Sequence, residues 1–277
     1  RTSSWKNRSC WLQTIAFCYL LEDASLKRSG SGFLKKQFSS FTEPYNLLNM
    51  KVAKLYNKEK KAVKEIEVKP LVYLYNSHQT EEYAKTTLAE YAVNPTVTIN
   101  NYIMLDVFQK NNINTITEER SIREVLNLNS WNYAASYKAS RIYMEDVKKE
   151  YPSLKYFIDL HRDSLKKDKT TIQIGDKSYA KIIFLIGLEN VNYQKNLAFT
   201  EEINNKIGEK YPGLSKGIYK KGGAGVNGVY NQDFSPYTIL IEIGGCENTT
   251  SEVLNTVLAI SKVISEVIIN NEQKELG

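Results

Sequence analysis

The stretch YFIDLHRDS, residues 156–164, decides how this sequence is read. Tyr156 to Leu160 is an apolar run of strand length, interrupted only by Asp159, and it ends abruptly in His161, Arg162 and Asp163. A short apolar run bounded by polar residues predicts a strand buried on both faces. Alternation puts Phe157, Asp159 and His161 on one of those faces. The chain has 277 residues and only two histidines. The other, His78, also closes an apolar run, in LVYLYNSHQTEEY (71–83), and this repeated context is the first sign of a site.

Upstream of the strand, Pro152 ends a long predicted helix, NYAASYKASRIYMEDVKKEY (132–151). Its Ala135, Ala139, Ile142 and Val147 approximate one face at helical period. Earlier still, 71–75 reads as a strand, Thr80 to Tyr91 as a helix, NYIMLDVFQKN (101–111) as a helix and INTIT (113–117) as a short strand. Downstream, AKIIFLIGL (180–188) is a buried strand. YQKNLAFTEEINNKIGEKY (193–211) is an amphipathic helix stopped by Pro212-Gly213, and YTILIEIGG (237–245) is the last strand. Thr249 and Glu252 then have the T-x-x-E spacing of a capping box, and a periodic apolar run continues to Ile269. The Gly-rich KKGGAGVNGVYNQ (220–232) reads as an extended loop. It lacks Walker spacing and a strand-then-helix setting, which argues against a phosphate cradle. Strands alternating with helices predict an α/β fold: a mainly parallel sheet covered on both faces, with its chemistry at the carboxyl edge.

This pattern assigns residues 71–270 to one domain behind a polar, Lys-rich extension, 33–70. In residues 1–32 the longest apolar stretch, CWLQTIAFCYLL (10–21), is broken by Gln13 and Thr14 and falls short of the roughly 20 residues a spanning helix needs. SGSG (29–32) resembles an engineered linker, so 1–32 is read as a linker or tether and set aside. The net charge of +6 suits an anionic polymer or a membrane surface. No block of like charge exceeds the KEKK region (58–61), which argues against a nucleic-acid partner. Cys10, Cys18 and Cys246 are odd in number and show no C-x-x-C spacing, so neither a disulfide framework nor a thiolate zinc site is expected.

The polar clusters fall at three strand ends. After the first strand, His78 lies three residues before Glu81 and four before Glu82. Either carboxylate can turn toward the imidazole at helical spacing. After the second, His161 has Asp159 on its own face as an acceptor that would orient its ring. In the third, Thr238, Leu240 and Glu242 share a face, leaving Glu242 a lone carboxylate in an apolar strand. That placement is costly without a cation or a proton. Two imidazoles and a carboxylate suit zinc with one position open, and a further carboxylate can serve as general base, which points to Glu242. A Ser-His-Asp hydrolase is disfavoured because no G-x-S-x-G elbow exists. A nucleophilic Cys246, after Gly244-Gly245 and near a helix start, is the weaker alternative.

At these residues the chain resembles the stage II sporulation protein P family of zinc-dependent N-acetylmuramoyl-L-alanine amidases. The resemblance covers roughly 70–270 and rests on ordered segments: NSHQTEEY, the stretch ending in FIDLHRDS, NYQKNLAFTEEINNKIGEKYPGLSKGI, and YNQDFSPYTILIEIGGCENTTSE. It implies a three-layer αβα sandwich shared with other cell-wall zinc amidases. It implies zinc held by His78, Glu81 and His161, with Glu242 as the catalytic glutamate. The implied reaction is hydrolysis of the amide between N-acetylmuramic acid and L-Ala of the stem peptide, with stem-peptide crosslinks as a further target. The implied partner is stage II sporulation protein D, during engulfment outside the cytoplasm of a sporulating bacterium. Members ordinarily begin with a membrane-spanning segment, and residues 1–32 make a poor one; an anchor is expected of the full-length protein. Arg162, on the opposite strand face by alternation, is expected to bind a substrate carboxylate or pair with an acid. The alternatives are a zinc carboxypeptidase or endopeptidase, and a non-catalytic wall-binding module.

Overall fold

A computed structural model describes residues 69–84 and 95–276, all within one compact unit, Lys69–Gly277. The expectations for 1–32, for 33–70 as far as Val68, and for a helix from Lys85 onward lie outside the described residues. In chain order the elements are β1 (Val72–Tyr75), α1 (Thr98–Lys110), β2 (Thr115–Thr117), α2 (Ile122–Leu128), α3 (Ser136–Glu150) and β3 (Tyr156–Asp163). There follow β4 (Thr171–Ile174), β5 (Lys177–Ala180), β6 (Ile182–Gly187), α4 (Tyr193–Lys210), β7 (Ser215–Lys221), β8 (Tyr237–Gly245) and α5 (Thr250–Leu276).

Six strands form one sheet in the order β2-β1-β3-β8-β6-β7, and β4 and β5 form a separate hairpin. β2, β1, β3 and β8 run parallel, so the carboxyl ends of β1, β3 and β8 share an edge. β6 is antiparallel to β8, and β7 follows β6. The sheet is mainly parallel, as expected, with one antiparallel pairing, β6 on β8. The reason lies between β3 and β6, where the chain forms only one helical turn (Lys167–Thr170) and the β4–β5 hairpin. A parallel return needs a crossover, usually a full helix. Without one the chain stays at the carboxyl edge, and β6 must run back.

Alternation divides the side chains between the two faces. Leu74, Ile158, Leu160, Ile239, Ile241, Ile182 and Phe184 point to a large core completed by Met104 and Phe108 of α1, Phe199 and Ile203 of α4, and Val257, Ile260 and Ile264 of α5. Burying each such side chain stabilises the fold by about 1.5–3 kcal/mol. On the opposite face Tyr73, Tyr75 and Phe157 meet Met144 and Val147 of α3. The result is the expected α/β architecture, a sheet flanked by helices. In α3 the buried stripe is Ser136, Ala139, Ser140, Met144 and Val147, and Ile142 is exposed. Ile142 sits two positions from both Ser140 and Met144, about 200° around the helix from each, so it does not share the buried face with Ala139 and Val147 as expected.

Thr249 and Glu252 form the expected box at the start of α5. The Thr249 amide donates to Glu252 Oε2 at 2.9 Å, and the Glu252 amide to Thr249 Oγ1 at 3.3 Å. Residues 77–80 form a turn, and Glu82 then makes an isolated bridge with Thr96, so the described start of the expected Thr80–Tyr91 helix is not helical. No helix among the described residues is long and apolar enough to cross a membrane.

Candidate metal centre

β1 delivers the chain to the carboxyl edge, where Ser77–Thr80 turns sharply and the Glu81 amide donates to the His78 carbonyl at 3.2 Å. That one turn supplies the spacing expected of a helix. It sets His78 Nδ1 3.3 Å from Glu81 Oε1. His161, at the end of β3, brings its Nδ1 to 3.5 Å from Glu81 Oε2. Ligand atoms of His78, Glu81 and His161 all lie within 4.8 Å of one another. Glu82, the rival carboxylate, is exposed and outside this cluster.

The turn is braced from several sides. The Arg162 amide donates to Glu81 Oε2 at 3.0 Å, and Asn76 Nδ2 to the Leu160 carbonyl at 2.6 Å. The Tyr83 hydroxyl donates to the Ile243 carbonyl at 3.1 Å and accepts from Asn100 Nδ2 at 2.8 Å. The Arg162 guanidinium is directed at the carbonyls of Glu82 (2.9 Å) and Asp163 (3.4 Å), so it fastens β3 to the turn.

Asp159 is fully buried one alternation below His161. Its Oδ1 lies 3.0 Å from His161 Nε2 and accepts the Ser77 amide at 2.9 Å; its Oδ2 accepts the Ser77 hydroxyl at 2.8 Å. Asp159 thus takes up Nε2, leaving Nδ1, which faces Glu81, as the nitrogen that would bind a metal. Burial alone would lower the His161 pKa, but Asp159 and then Glu81 and Glu242 raise it well above its ordinary value. For Glu81 burial opposes ionisation, yet the two imidazoles and the Arg162 amide hold its pKa down at about 2.

Glu242 is the direct register partner of His161 across β3 and β8, so both project from the same face. Its Oε2 is sealed from solvent and has no hydrogen-bond partner. Burial, with Glu81 and Asp163 behind it, pushes its pKa up to about 7 against the pull of His161 and Lys221. Asp159, Glu81 and Glu242 thus all act on the one buried imidazole of His161. The donor set of two imidazole nitrogens and one carboxylate oxygen fits zinc with a fourth position open.

The pair Gly244-Gly245 lets β8 end here. Gly244 has φ +64°, and a Cβ on it would stand 2.7 Å from Asn248 Oδ1. A Cβ on Gly245 would collide with the Leu165 carbonyl oxygen. Asn248 Oδ1 accepts the Gly245 amide at 2.8 Å, and its Nδ2 donates to Thr171 Oγ1 and Glu252 Oε2. Cys246 lies beyond these glycines with its Sγ directed at the Ser164 carbonyl and is not among the clustered groups.

Aromatic rings from another layer complete the wall, and the sequence reading missed them. Tyr133, in the 3-10 turn just before α3, and Tyr137, in the first turn of α3, place rings 4.8 and 5.2 Å from His78. Tyr137 lies parallel to His161 at 6.2 Å and meets Tyr230 edge-on at 5.4 Å. The N-Q-D run fixes that wall: Asn231 Nδ2 donates to the Tyr137 carbonyl at 3.0 Å, Gln232 bonds to Gly187 and Leu185 at the end of β6, and Asp233 pairs with Arg141 at 2.8 Å. The i, i+4 pair of tyrosines in NYAASYK was the one local signal for it.

A family model described as Stage II sporulation protein P matches residues 32–265. Stage II sporulation protein P of Bacillus subtilis (strain 168) is 34% identical over 207 residues, covering 72% of this chain and 51% of the relative. The chain thus spans about half the length of that curated relative. Among solved structures, Cwp6 from Clostridium difficile superposes with a TM-score of 0.40 at 13% identity, over 72% of this chain and 29% of that one. The CwlD amidase from Clostridioides difficile, in complex with the GerS lipoprotein, gives 0.46 at 9% identity, over 72% and 99%. Superpositions this loose carry no weight for function.

Proposed function

The chain belongs to the stage II sporulation protein P family, and from that premise we propose that it is a zinc-dependent N-acetylmuramoyl-L-alanine amidase acting on peptidoglycan. The observation that carries the reading is the unpaired Oε2 of Glu242 beside a cluster of two histidines and one glutamate. His78, Glu81 and His161 would hold the zinc, which when bound would supply Lewis acidity to the amide carbonyl and the attacking water. Asp159 and Ser77 hold His161 in the required tautomer. Glu242 accepts a proton from the attacking water as the water oxygen bonds to the carbonyl carbon. It returns that proton to the nitrogen as the C–N bond breaks, since an amide nitrogen leaves poorly unprotonated. The products are a lactyl carboxylate on the glycan and a peptide with a free L-Ala amine.

The carboxypeptidase alternative needs a free cation for a terminal carboxylate. Arg162 is the candidate, and its engagement with two backbone carbonyls favours a bracing role. Stem-peptide crosslinks are amides open to the same chemistry. The family supports a place outside the cytoplasm of a sporulating bacterium, membrane association of the full-length protein, and stage II sporulation protein D as partner in engulfment. The test is peptide release from purified sacculi with zinc content measured on the same sample. The expected result is about one zinc per chain, activity in the wild type, and at least a ~10²-fold loss in a zinc-retaining Glu242→Gln. A wild type without stoichiometric zinc, or a Glu242→Gln of normal rate, would overturn the proposal.

A further inference from the structure

Tyr133 is half exposed although one face of its ring is covered: it lies nearly parallel to the His78 imidazole, 27° and 4.8 Å away. The Thr80 side chain lies beside the Tyr133 hydroxyl, and the backbone turn is capped by Asn132 Oδ1 on the Ala134 amide at 3.1 Å. The neighbouring Trp131 packs away from the site, against α2 and under Lys138. What remains is one rigid aromatic face beside a histidine of the cluster, with the exposed Thr80 hydroxyl at its rim.

The direction of the substrate follows from the mechanism above, on which this inference rests. Glu242 must reach the leaving nitrogen, so the amine half of the amide lies toward β8 and Lys221, whose charge acts on Glu242. The acyl half must then extend the other way, over His78 and onto Tyr133. In the proposed reaction that half carries a pyranose. We propose that the open face of Tyr133 is a sugar subsite, which takes the N-acetylmuramic acid ring by stacking and makes the protein select glycan-linked amides over free peptides. A pyranose offers polarised C–H groups to the negative face of an aromatic ring and hydroxyls to its rim, matching Tyr133 and Thr80.

The test measures binding, so it does not depend on turnover. Zinc-loaded Glu242→Gln protein is titrated with N-acetylmuramoyl-L-alanyl-D-isoglutamine and with D-lactyl-L-alanyl-D-isoglutamine, its sugar-free twin. The expected result is tighter binding of the sugar-bearing ligand, weakened about 3- to 10-fold by Tyr133→Ala, the range of one aromatic contact. Tyr133→Phe restores it, the sugar-free ligand is unaffected, and zinc affinity does not change. No preference for the sugar-bearing ligand, or equal weakening of both, overturns the subsite. So does loss of zinc affinity in Tyr133→Ala, which would make the ring a support for His78. Parallel turnover by the wild type separates the two claims: a sugar preference without cleavage of the glycan–peptide amide refutes the activity and leaves the subsite standing.

Discussion

His161 is reached by three carboxylates, from Asp159 below, Glu81 beside it and Glu242 across the sheet. Each has a separable consequence. Asp159 fixes the ring, so Asp159→Asn should weaken zinc binding about 10- to 100-fold in a chelator competition. Glu81→Gln should weaken it too, whereas Glu82→Gln should leave it nearly unchanged; the reverse order would move the ligand to Glu82. Glu242 gives a pH prediction. Its pKa rises from 4.5 to about 7 on folding, so its favourable contribution is complete below pH ~4.5 and is lost as pH rises through ~7. In metal-free protein the stability of the wild type relative to Glu242→Gln should therefore fall between pH ~5 and ~7, measured by denaturant titration of both. A difference that is flat or rises with pH would contradict the assignment. The two histidines and Glu242 were legible as candidates because each interrupts or closes an apolar run, and Glu81 because of its spacing from His78. Ser77 and Tyr230 were not, since a serine in a turn and a tyrosine after a Gly-rich loop have no pattern of their own.

Single elements set how accurately those residues meet. The box at the start of α5 also anchors Asn248, which holds the Gly245 amide. Thr249→Ala should cost about 1 kcal/mol in urea denaturation. A loss below a few tenths would show that the other bonds of Asn248 and Glu252 suffice. Most elements were visible in the sequence because their periodicity is local. The β4–β5 hairpin was not read, although Ile172 and Ile174 alternate and Gly175-Asp176 supplies a turn. Strand β7 was not read either: Ser215, Lys216, Lys220 and Lys221 give an edge strand little apolar signal, and four of its residues are only half-buried. The direction of β6 was out of reach, because it depends on what connects it to β3 and not on the residues of the strand.

Over the whole molecule, one face of the sheet carries the large core, and the other carries both α3 and the polar cluster. That division allows a buried, charge-rich site without breaking the principal core. The central claim concerns which bond this site cuts. Purified sacculi digested by the zinc-loaded protein, with products identified by mass spectrometry, test it most directly. The account predicts stem peptides released whole with a free L-Ala amine, and glycan strands bearing free lactyl carboxylates. Products in which crosslinks are cut while every L-Ala stays joined to its muramic acid would contradict it.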